Sequence, residues 1–289
     1  MCGRDAEPGE FAHVRPPFVP GLEVSGYIRE IGEGVEGFQV GEPVAAMTLT
    51  ELGAFASVVS VRPELTVPLR RLDAELALEE AAASIVNLTT AYMTILDVVK
   101  MRKGESVLVH AAAGGLGSFL GQVARHFGAG LVLGTVGRAD KTALAASLGY
   151  DELFVRSRFA EDTLRLTVQQ GVHAVLDPVG GEVRTKSFEV LQPLGRLVVL
   201  GNAGGRPDAM HSYSDLWFNN RILSGFQIGS YSLFNPELVG TRALEALNLL
   251  ARKELRSEVH GIYTLDGAEE AFRLLAQGVT RGKLLLKVN

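Results

Sequence analysis

The chain has 289 residues, 47% of them hydrophobic, and carries a formal charge of −5 from 28 basic and 33 acidic side chains. That length suits about two domains, and the acidic balance, with a pI near 5.8, leaves no basic field for a nucleic-acid partner. The apolar stretches are shorter than the roughly 20 residues that span a bilayer, no export signal opens the chain and Cys2 is the only cysteine, so we expect a cytoplasmic protein without a membrane partner or a disulfide.

The first part of the chain has alternating apolar and polar residues between glycine and proline turns, a pattern typical of strands. We predict strands over residues 24–31, 43–47 and 54–61, and therefore a mainly β module. From residue 76 the composition becomes rich in alanine. This change predicts one helix over residues 76–83 and a second from residue 89 towards residue 99.

Strand and helix patterns alternate regularly from residue 106 onward. Such alternation predicts an α/β fold with a Rossmann-type doubly wound parallel sheet. The predicted strands cover residues 106–111, 131–136, 152–155, 173–177, 195–200 and 221–228, with a closing strand over 283–288. The predicted helices cover residues 116–127, 139–148, 160–170, 181–192, 236–253 and 267–276.

A glycine cluster follows the first strand of this alternation. Ala112, Gly114 and Gly117 match the spacing of the dinucleotide fingerprint G-x-G-x-x-G, with alanine in place of the first glycine. A diphosphate must approach backbone N–H groups at a helix N-terminus, and larger side chains would block it. A simple tight turn would also explain these glycines. The strand before them and the helix after them favour a pyrophosphate site, which would include Ala113 and Gly115.

The end of the second strand indicates which dinucleotide the site would take. An NAD site usually has an acidic residue at this strand end, whereas the 2′-phosphate of NADP needs basic side chains. Here the strand ends at Gly137 and Arg138, followed by Asp140 and Lys141. We therefore predict NADPH, with Arg138 and Lys141 on the 2′-phosphate and Arg156 as a third ligand. An exposed helix residue is the alternative for Lys141, and an acid that complements a helix dipole is the alternative for Asp140.

Two further glycine-rich loops follow predicted strands, over residues 177–181 (DPVGG) and 201–205 (GNAGG). Ligands of open α/β sheets bind at the carboxyl ends of the strands, where helix N-termini converge. Each loop alone could be a structural turn. Because several such loops lie at one predicted edge, we expect them to surround a single ligand.

Five motifs follow one another along the chain: residues 17–26 (PFVPGLEVSG), 32–44 (GEGVEGFQVGEPV), 90–92 (TAY), 112–117 (AAGGLG) and 177–181. Together they resemble the zinc-independent quinone oxidoreductase and enoyl reductase branch of the medium-chain dehydrogenase/reductase superfamily. The resemblance implies a GroES-like catalytic domain of residues 1–85 and 256–289 and a Rossmann domain of residues 86–255. It also implies a homodimer formed through the edge strand near residues 222–230, unless residues 231–236 cover that edge.

The same resemblance implies a place for each candidate binding residue. Thr90 would lie beside the nicotinamide, Gly114, Gly115 and Leu116 at the pyrophosphate, Lys141 at the 2′-phosphate, and Gly201 and Asn202 near the nicotinamide and its ribose. Relatives begin with several dozen more residues, so we expect an N-terminally shortened catalytic domain and weakened activity.

No metal site is expected. Zinc-using relatives have a Gly-His-Glu segment where this chain has Gly21, Leu22 and Glu23, and the six histidines lack the spacing of a site with about three ligands. His110 is interpreted as a hydrogen-bonded structural residue.

The expected function is NADPH-dependent reduction of a quinone or an α,β-unsaturated carbonyl. The alternatives are an NADPH-binding protein with little turnover and an enoyl reductase module for carrier-bound enoyl thioesters. Asn202, the cofactor ribose hydroxyl and Tyr92 are candidate donors near the pocket, with a packed helix aromatic as the alternative for Tyr92. No proton donor and no catalytic residue are assigned.

Overall fold

The computed structural model describes residues 14–207 and 209–288. The described chain divides into two compact units, one of residues 93–227 and one of residues 14–92 and 228–288. The helix Pro236–Ala251 belongs to the second unit, whereas the domain limits inferred from the sequence place it in the Rossmann domain.

The strands and helices are numbered here along the chain. The strands are β1 Glu23–Tyr27, β2 Pro43–Met47, β3 Thr66–Pro68, β4 Ser106–Val109, β5 Leu131–Val136, β6 Glu152–Val155, β7 Val172–Asp177, β8 Leu191–Val199, β9 Ile222–Gly225, β10 Val259–Thr264 and β11 Lys283–Lys287. The α-helices are α1 Leu78–Met93, α2 Gly115–His126, α3 Phe159–Leu166, α4 Glu182–Ser187, α5 Tyr213–Phe218, α6 Ile228–Ser232, α7 Pro236–Ala251 and α8 Ala268–Gln277.

The first unit is built on a six-stranded parallel sheet with the order β6-β5-β4-β7-β8-β9. This order reverses direction between β4 and β7, which is the arrangement of a doubly wound dinucleotide-binding sheet. Buried residues such as Leu108, Leu133 and Val175 fill the central strands, and Phe154 and Phe188 extend the same core. The predicted α/β fold is confirmed, and the carboxyl ends of the strands bring the glycine-rich loops to one edge.

The predicted mainly β module is confined to the first part of the second unit, which also contains helices α6, α7 and α8 and most of α1. Strands β1, β2 and β3 form an antiparallel sheet, and β10 pairs in parallel with β11. Helix α7 begins at a proline and is capped by Asn235, whose side chain accepts a hydrogen bond from Leu238 N at 3.2 Å. At Gly240 this helix passes so close to the carbonyl of Glu64 that an added Cβ would lie 2.0 Å from the oxygen.

Several predicted elements were wrong in type or extent. Residues 54–61 form no strand. The backbone N–H groups of Ala54 and Phe55 donate to the carbonyls of Gly21 and Pro20, and this contact is too short to make a strand. Residues 139–148 form 3₁₀ turns rather than an α-helix. There the hydroxyls of Thr142 and Ser147 donate to backbone carbonyls three residues earlier and compete with helical bonding. The strand predicted over 221–228 ends at Gly225.

The two helices predicted between residues 76 and 99 form one continuous helical stretch. Helix α1 runs directly into a π-helical segment, Thr94–Val99, which ends at Lys100 in the left-handed conformation. The stretch Leu78–Val99 has 22 residues and contains an 18-residue window with a mean hydropathy of 1.4, so by length and composition alone it could span a membrane, although no single apolar run of that length was noted in the sequence. Of that window, 72% is buried inside the protein, and a buried core helix has the same composition.

Candidate functional site

The glycine cluster forms a tight turn between β4 and helix α2. Helix α2 begins at Gly115, and the preceding residue Gly114 is extended. A Cβ on Gly117 would lie 2.2 Å from the carbonyl oxygen of Ala111, so only glycine allows the helix to start this close to the turn. The N–H groups of the first helical turn have no partner within the helix. Gly114, Gly115 and Leu116 are partly exposed, while Ala113 is buried. The Gly114 N–H donates to the Ala111 carbonyl at 2.9 Å, so a diphosphate could reach the open N–H groups of Gly115 and Leu116.

The alanine that replaces the first fingerprint glycine is accommodated by a glycine on the neighbouring strand. Ala112 is fully buried, and a Cβ on Gly134 of β5 would lie 2.7 Å from the Ala112 Cβ. The phenol of Tyr150 donates to the Gly117 carbonyl at 2.6 Å, and the same ring covers Gly121. These close approaches fix helix α2 against β5 and so fix the position of the N–H groups.

Basic side chains follow β5, as predicted, but an acidic one accompanies them. Arg138 pairs with Asp140 through Nε and Oδ1 at 3.0 Å and through Nη2 and Oδ2 at 3.3 Å. Partial burial lowers the pKa of Lys141, Asp140 opposes that shift, and the positive charge of Arg138 adds to it. Arg138 therefore has an internal carboxylate partner that a bound phosphate would have to displace or share.

Arg156 directly follows β6 and points towards the end of β5. Its Nη2 atom would lie 3.8 Å from a Cβ built on the exposed Gly137. Its Nε atom is buried and has no hydrogen-bond partner among the described residues. A buried donor without a partner is costly unless a ligand supplies the acceptor. This arrangement fits a phosphate group at the ends of β5 and β6.

The loops after β7 and β8 are joined by a buried ion pair. Arg184 on α4 donates from Nε to Asp177 Oδ2 at 2.7 Å, and its Nη2 donates to the Gly201 carbonyl. Asn202 is exposed, and its side-chain amide donates to the Arg206 carbonyl at 3.0 Å. The motif at residues 177–181 pointed to this edge, but sequence reasoning missed Arg184. An arginine seven residues after the strand-ending aspartate was the available signal.

His110 directly follows β4 and precedes the turn of residues 112–117, which we call the cradle. Both of its ring nitrogens are within hydrogen-bonding distance of a hydroxyl. Nδ1 is 3.0 Å from the Thr135 hydroxyl, Nε2 is 2.8 Å from the Ser187 hydroxyl, and the ring packs edge-on against Phe159. Complete burial lowers its pKa to about 4, which Asp177 opposes and the charge of Arg156 reinforces. The imidazole is therefore neutral near pH 7 and acts as a structural link between β4, β5 and α4.

The second unit contains the remaining candidates. Thr90 on α1 is buried, and its hydroxyl donates to the Val86 carbonyl at 2.7 Å. Glu23, beside the leucine that replaces a zinc ligand of relatives, accepts from Val86 N at 2.9 Å and pairs with Lys283. Among the residues that the structure describes, no three His, Cys, Asp or Glu side chains form a group that could hold a metal ion.

Comparison with known proteins gives matches along most of the chain. The family model described as an alcohol dehydrogenase GroES-like domain matches residues 1–71, and the one described as a zinc-binding dehydrogenase matches residues 115–241. A synaptic vesicle membrane protein VAT-1 homolog of Danio rerio is 29% identical over 94% of this chain. The reducing polyketide synthase FUB1 of Gibberella fujikuroi is 31% identical over 92% of it. The chain spans 58% of the length of the first relative and 11% of the second.

Solved structures give the same result. A quinone oxidoreductase of Pseudomonas syringae pv. Tomato is 30% identical with a TM-score of 0.84, and the match covers 95% of this chain and 84% of that one. The Escherichia coli quinone oxidoreductase, solved in complex with NADPH, is 27% identical with a TM-score of 0.84, and the match covers 94% and 84% of the two chains. By its two family models, its fold and these neighbours, the chain belongs to the medium-chain dehydrogenase/reductase superfamily, in the group of quinone oxidoreductases and enoyl reductases.

Proposed function

We propose that this oxidoreductase uses NADPH to reduce a quinone or an α,β-unsaturated carbonyl without a metal. The observation that carries the proposal is Arg156, whose buried Nε atom lacks an acceptor beside the exposed end of β5. A 2′-phosphate there would give this donor a partner. Two structural neighbours solved with NADPH bound support the choice of cofactor.

The residues of the first unit divide the cofactor between them. The open N–H groups of Gly115 and Leu116 would bind the pyrophosphate, with Gly114 and the small buried Ala113 leaving room beside them. Gly137 would let the adenosine end approach the backbone, and Arg138, Lys141 and Arg156 would neutralise the 2′-phosphate. On the opposite side of the cradle, Gly201 and Asn202 would line the nicotinamide ribose. Thr90 would lie beside the nicotinamide. The proposed domains are residues 1–85 with 256–289 and residues 86–255.

The bound cofactor would supply a hydride, and the protein would position the acceptor and stabilise the oxygen on which negative charge develops. Leu22 and the ion-paired Glu23 favour a reaction without zinc, because the carboxylate already has Lys283 and Val86 as partners.

The exposed residues Ile222 and Leu223 on the edge strand β9 favour a homodimer formed through this edge. Light scattering would test it, and a monomer at micromolar concentration would contradict it. We place the protein in the cytoplasm.

Similarity to a reducing polyketide synthase and to enoyl reductases supports a second candidate, reduction of carrier-bound enoyl thioesters. NADPH consumption should be measured with 1,4-quinones, enones, free enoyl thioesters and carrier-bound enoyl thioesters. Turnover restricted to carrier-bound substrates would favour the second candidate. NADPH binding without turnover of any of these compounds would favour a cofactor-binding protein with little activity.

The cofactor assignment has its own test in two neighbouring arginines. Arg156→Leu should weaken NADPH binding by about 10- to 100-fold, the effect of one charged hydrogen bond, and leave NADH binding unchanged. Arg158→Leu is the matched control, because Arg158 is exposed and pairs only weakly with Glu161 and Asp162. Fluorescence titration of the reduced cofactors gives both constants. Equal losses for NADPH and NADH in Arg156→Leu would refute the assignment.

A further inference from the structure

Arg184 joins two loops at the carboxyl edge of the six-stranded sheet. Its side chain is nearly buried, and its partner Asp177, the last residue of β7, is completely buried. Its Nε donates to this carboxylate at 2.7 Å, while Nη2 donates to the carbonyl of Gly201, after β8. One guanidinium thus links the two loops that follow β7 and β8.

The loop after β7 is itself organised by the same carboxylate. Asp177 accepts hydrogen bonds from Val179 N at 2.7 Å and from Gly180 N at 3.1 Å. A Cβ on Gly180 would lie 2.4 Å from Asn202 Oδ1 and 3.3 Å from Arg184 Nη2. The two loops are therefore packed in contact, and a shift of one must move the other.

The contact with Arg184 sets the direction of the peptide between Gly201 and Asn202. In a trans peptide the C=O and the N–H point to opposite sides. Because the Gly201 carbonyl points towards the buried guanidinium, the Asn202 N–H points away from the ion pair, on an exposed residue. Within residues 14–207 and 209–288, no group accepts a hydrogen bond from this N–H. It is a fixed donor that a ligand at this edge can use.

We infer that Arg184 is a positioning residue for the cofactor, acting through Gly201 to aim the Asn202 N–H at the ribose on the nicotinamide side. The inference rests on the proposed NADPH function. Asp177 neutralises the charge of Arg184, so the arginine contributes geometry rather than attraction for the cofactor phosphates.

Lysine cannot replace this arginine fully. The guanidinium uses two separate N–H directions, one for the carboxylate and one for the carbonyl, whereas an ammonium is a compact point charge. Arg184→Lys should keep the ion pair with Asp177 and lose the fixed contact with Gly201. This difference separates the positioning role from a purely structural one.

The experiment compares NADPH with 2′,5′-ADP, which carries the adenosine half, its 2′-phosphate and its 5′-phosphate but no nicotinamide or nicotinamide ribose. In full-length Arg184→Met and Arg184→Lys we expect about tenfold weaker NADPH binding, the loss of one hydrogen bond, and unchanged 2′,5′-ADP binding. Arg184→Lys should have a Tm near that of the wild type, so it remains informative if Arg184→Met does not fold.

Arg196→Met is the matched control, since Arg196 forms a buried ion pair with Glu105 in the same unit. It should lower Tm and leave the ratio of the NADPH and 2′,5′-ADP constants unchanged. Equal weakening of both ligands in the Arg184 variants, or no weakening of NADPH, would overturn the positioning role. A wild-type protein that binds neither ligand would overturn the proposed function together with it, whereas wild-type binding of both isolates the failure to Arg184.

Discussion

A buried arginine–carboxylate pair lies at each end of the parallel strands of the six-stranded sheet. We call their amino ends the amino edge and their carboxyl ends the carboxyl edge, and the two pairs differ in the hydrogen-bonding groups around them. At the amino edge, Arg196, the first residue of β8 that pairs with β9, meets Glu105, just before β4. At the carboxyl edge, Arg184 meets Asp177 at the end of β7. The side chains are almost equally buried, so burial alone does not distinguish the two edges.

Hydrogen bonding does distinguish them. Arg196 donates to both oxygens of Glu105, at 3.0 and 2.6 Å, and to the carbonyls of His173 and Val99. At the carboxyl edge, in contrast, the described residues offer no acceptor to the Nε of Arg156 or to the N–H of Asn202. The arginine of the amino edge therefore has acceptors within the protein, whereas the described part of the carboxyl edge has N–H donors without an acceptor. Donors without an acceptor beside an ion pair indicate a ligand-binding site. An ion pair whose donors have acceptors within the protein indicates a structural role.

The largest expected effect tests whether the carboxyl edge depends on its close backbone approach. Gly117→Ala should reduce NADPH affinity by more than about 100-fold, because the new Cβ would displace the turn that carries the N–H groups and remove one or two charged hydrogen bonds. Gly225→Ala is the control, since Gly225 lies outside the cradle and no atom would come closer than 3.8 Å to its Cβ. Similar affinities for the two variants in fluorescence titrations would contradict this account of the cradle.

The second prediction compares the two ion pairs in stability. Asp177→Asn should lower the free energy of unfolding by about 3 to 5 kcal/mol, because it leaves a buried guanidinium without its counter-ion. Glu105→Gln should cost less, about 1 to 3 kcal/mol, because Arg196 retains two backbone carbonyls as acceptors. Urea unfolding of both variants measures the difference. A larger loss for Glu105→Gln would reverse the ranking of the two edges.

The third prediction uses pH. The folded pKa of His110, about 4, lies below its ordinary value of 6.5, so the unfolded chain takes up the proton first. Stability should be complete above pH 6.5 and fall by up to about 3 kcal/mol as pH drops towards 4. His110→Asn, which cannot titrate, should flatten that part of the profile. An unchanged slope in His110→Asn would show that another group causes the loss.

The amino edge should respond in a lower pH range. Partial burial opposes ionisation of Glu105, but hydrogen bonds from Arg196 and from the backbone of Arg102, with the charge of Arg196, hold its pKa below 4.5. Its contribution is therefore present above pH 4.5 and lost as pH falls through the lower folded value. This loss should persist in His110→Asn.

Local pattern predicted most of the sheet. Strands β5 and β6 were predicted with their observed limits. Each is a short apolar run bounded by glycine or charged residues, a pattern typical of strands. Residues 54–61 looked equally strand-like, but their neighbours offer only isolated contacts, so pairing partners decided against the pattern. Thr142 and Ser147 changed a predicted helix into 3₁₀ turns through their own hydroxyls.

The candidate site was predictable where its chemistry lies within one short segment. The cradle at residues 112–117 and the basic residues after β5 follow directly from spacing. Arg184 was missed, because its spacing of seven residues from Asp177 was the only local signal and its role depends on a contact with Gly201, 17 residues further along the chain. The pairing of Arg138 with Asp140 was missed for a different reason, since Asp140 was interpreted only as a helix-dipole residue.

The contact between Ala112 and Gly134 changes how a dinucleotide fingerprint should be read. A methyl group that the motif forbids in the turn after β4 is tolerated because Gly134 on the neighbouring strand β5 has no side chain there. The requirement for small residues is thus shared between two residues that are neighbours in space but 22 positions apart in the sequence. It does not lie within a single hexapeptide. A search that scores both positions as one steric unit would accept chains that the linear pattern rejects.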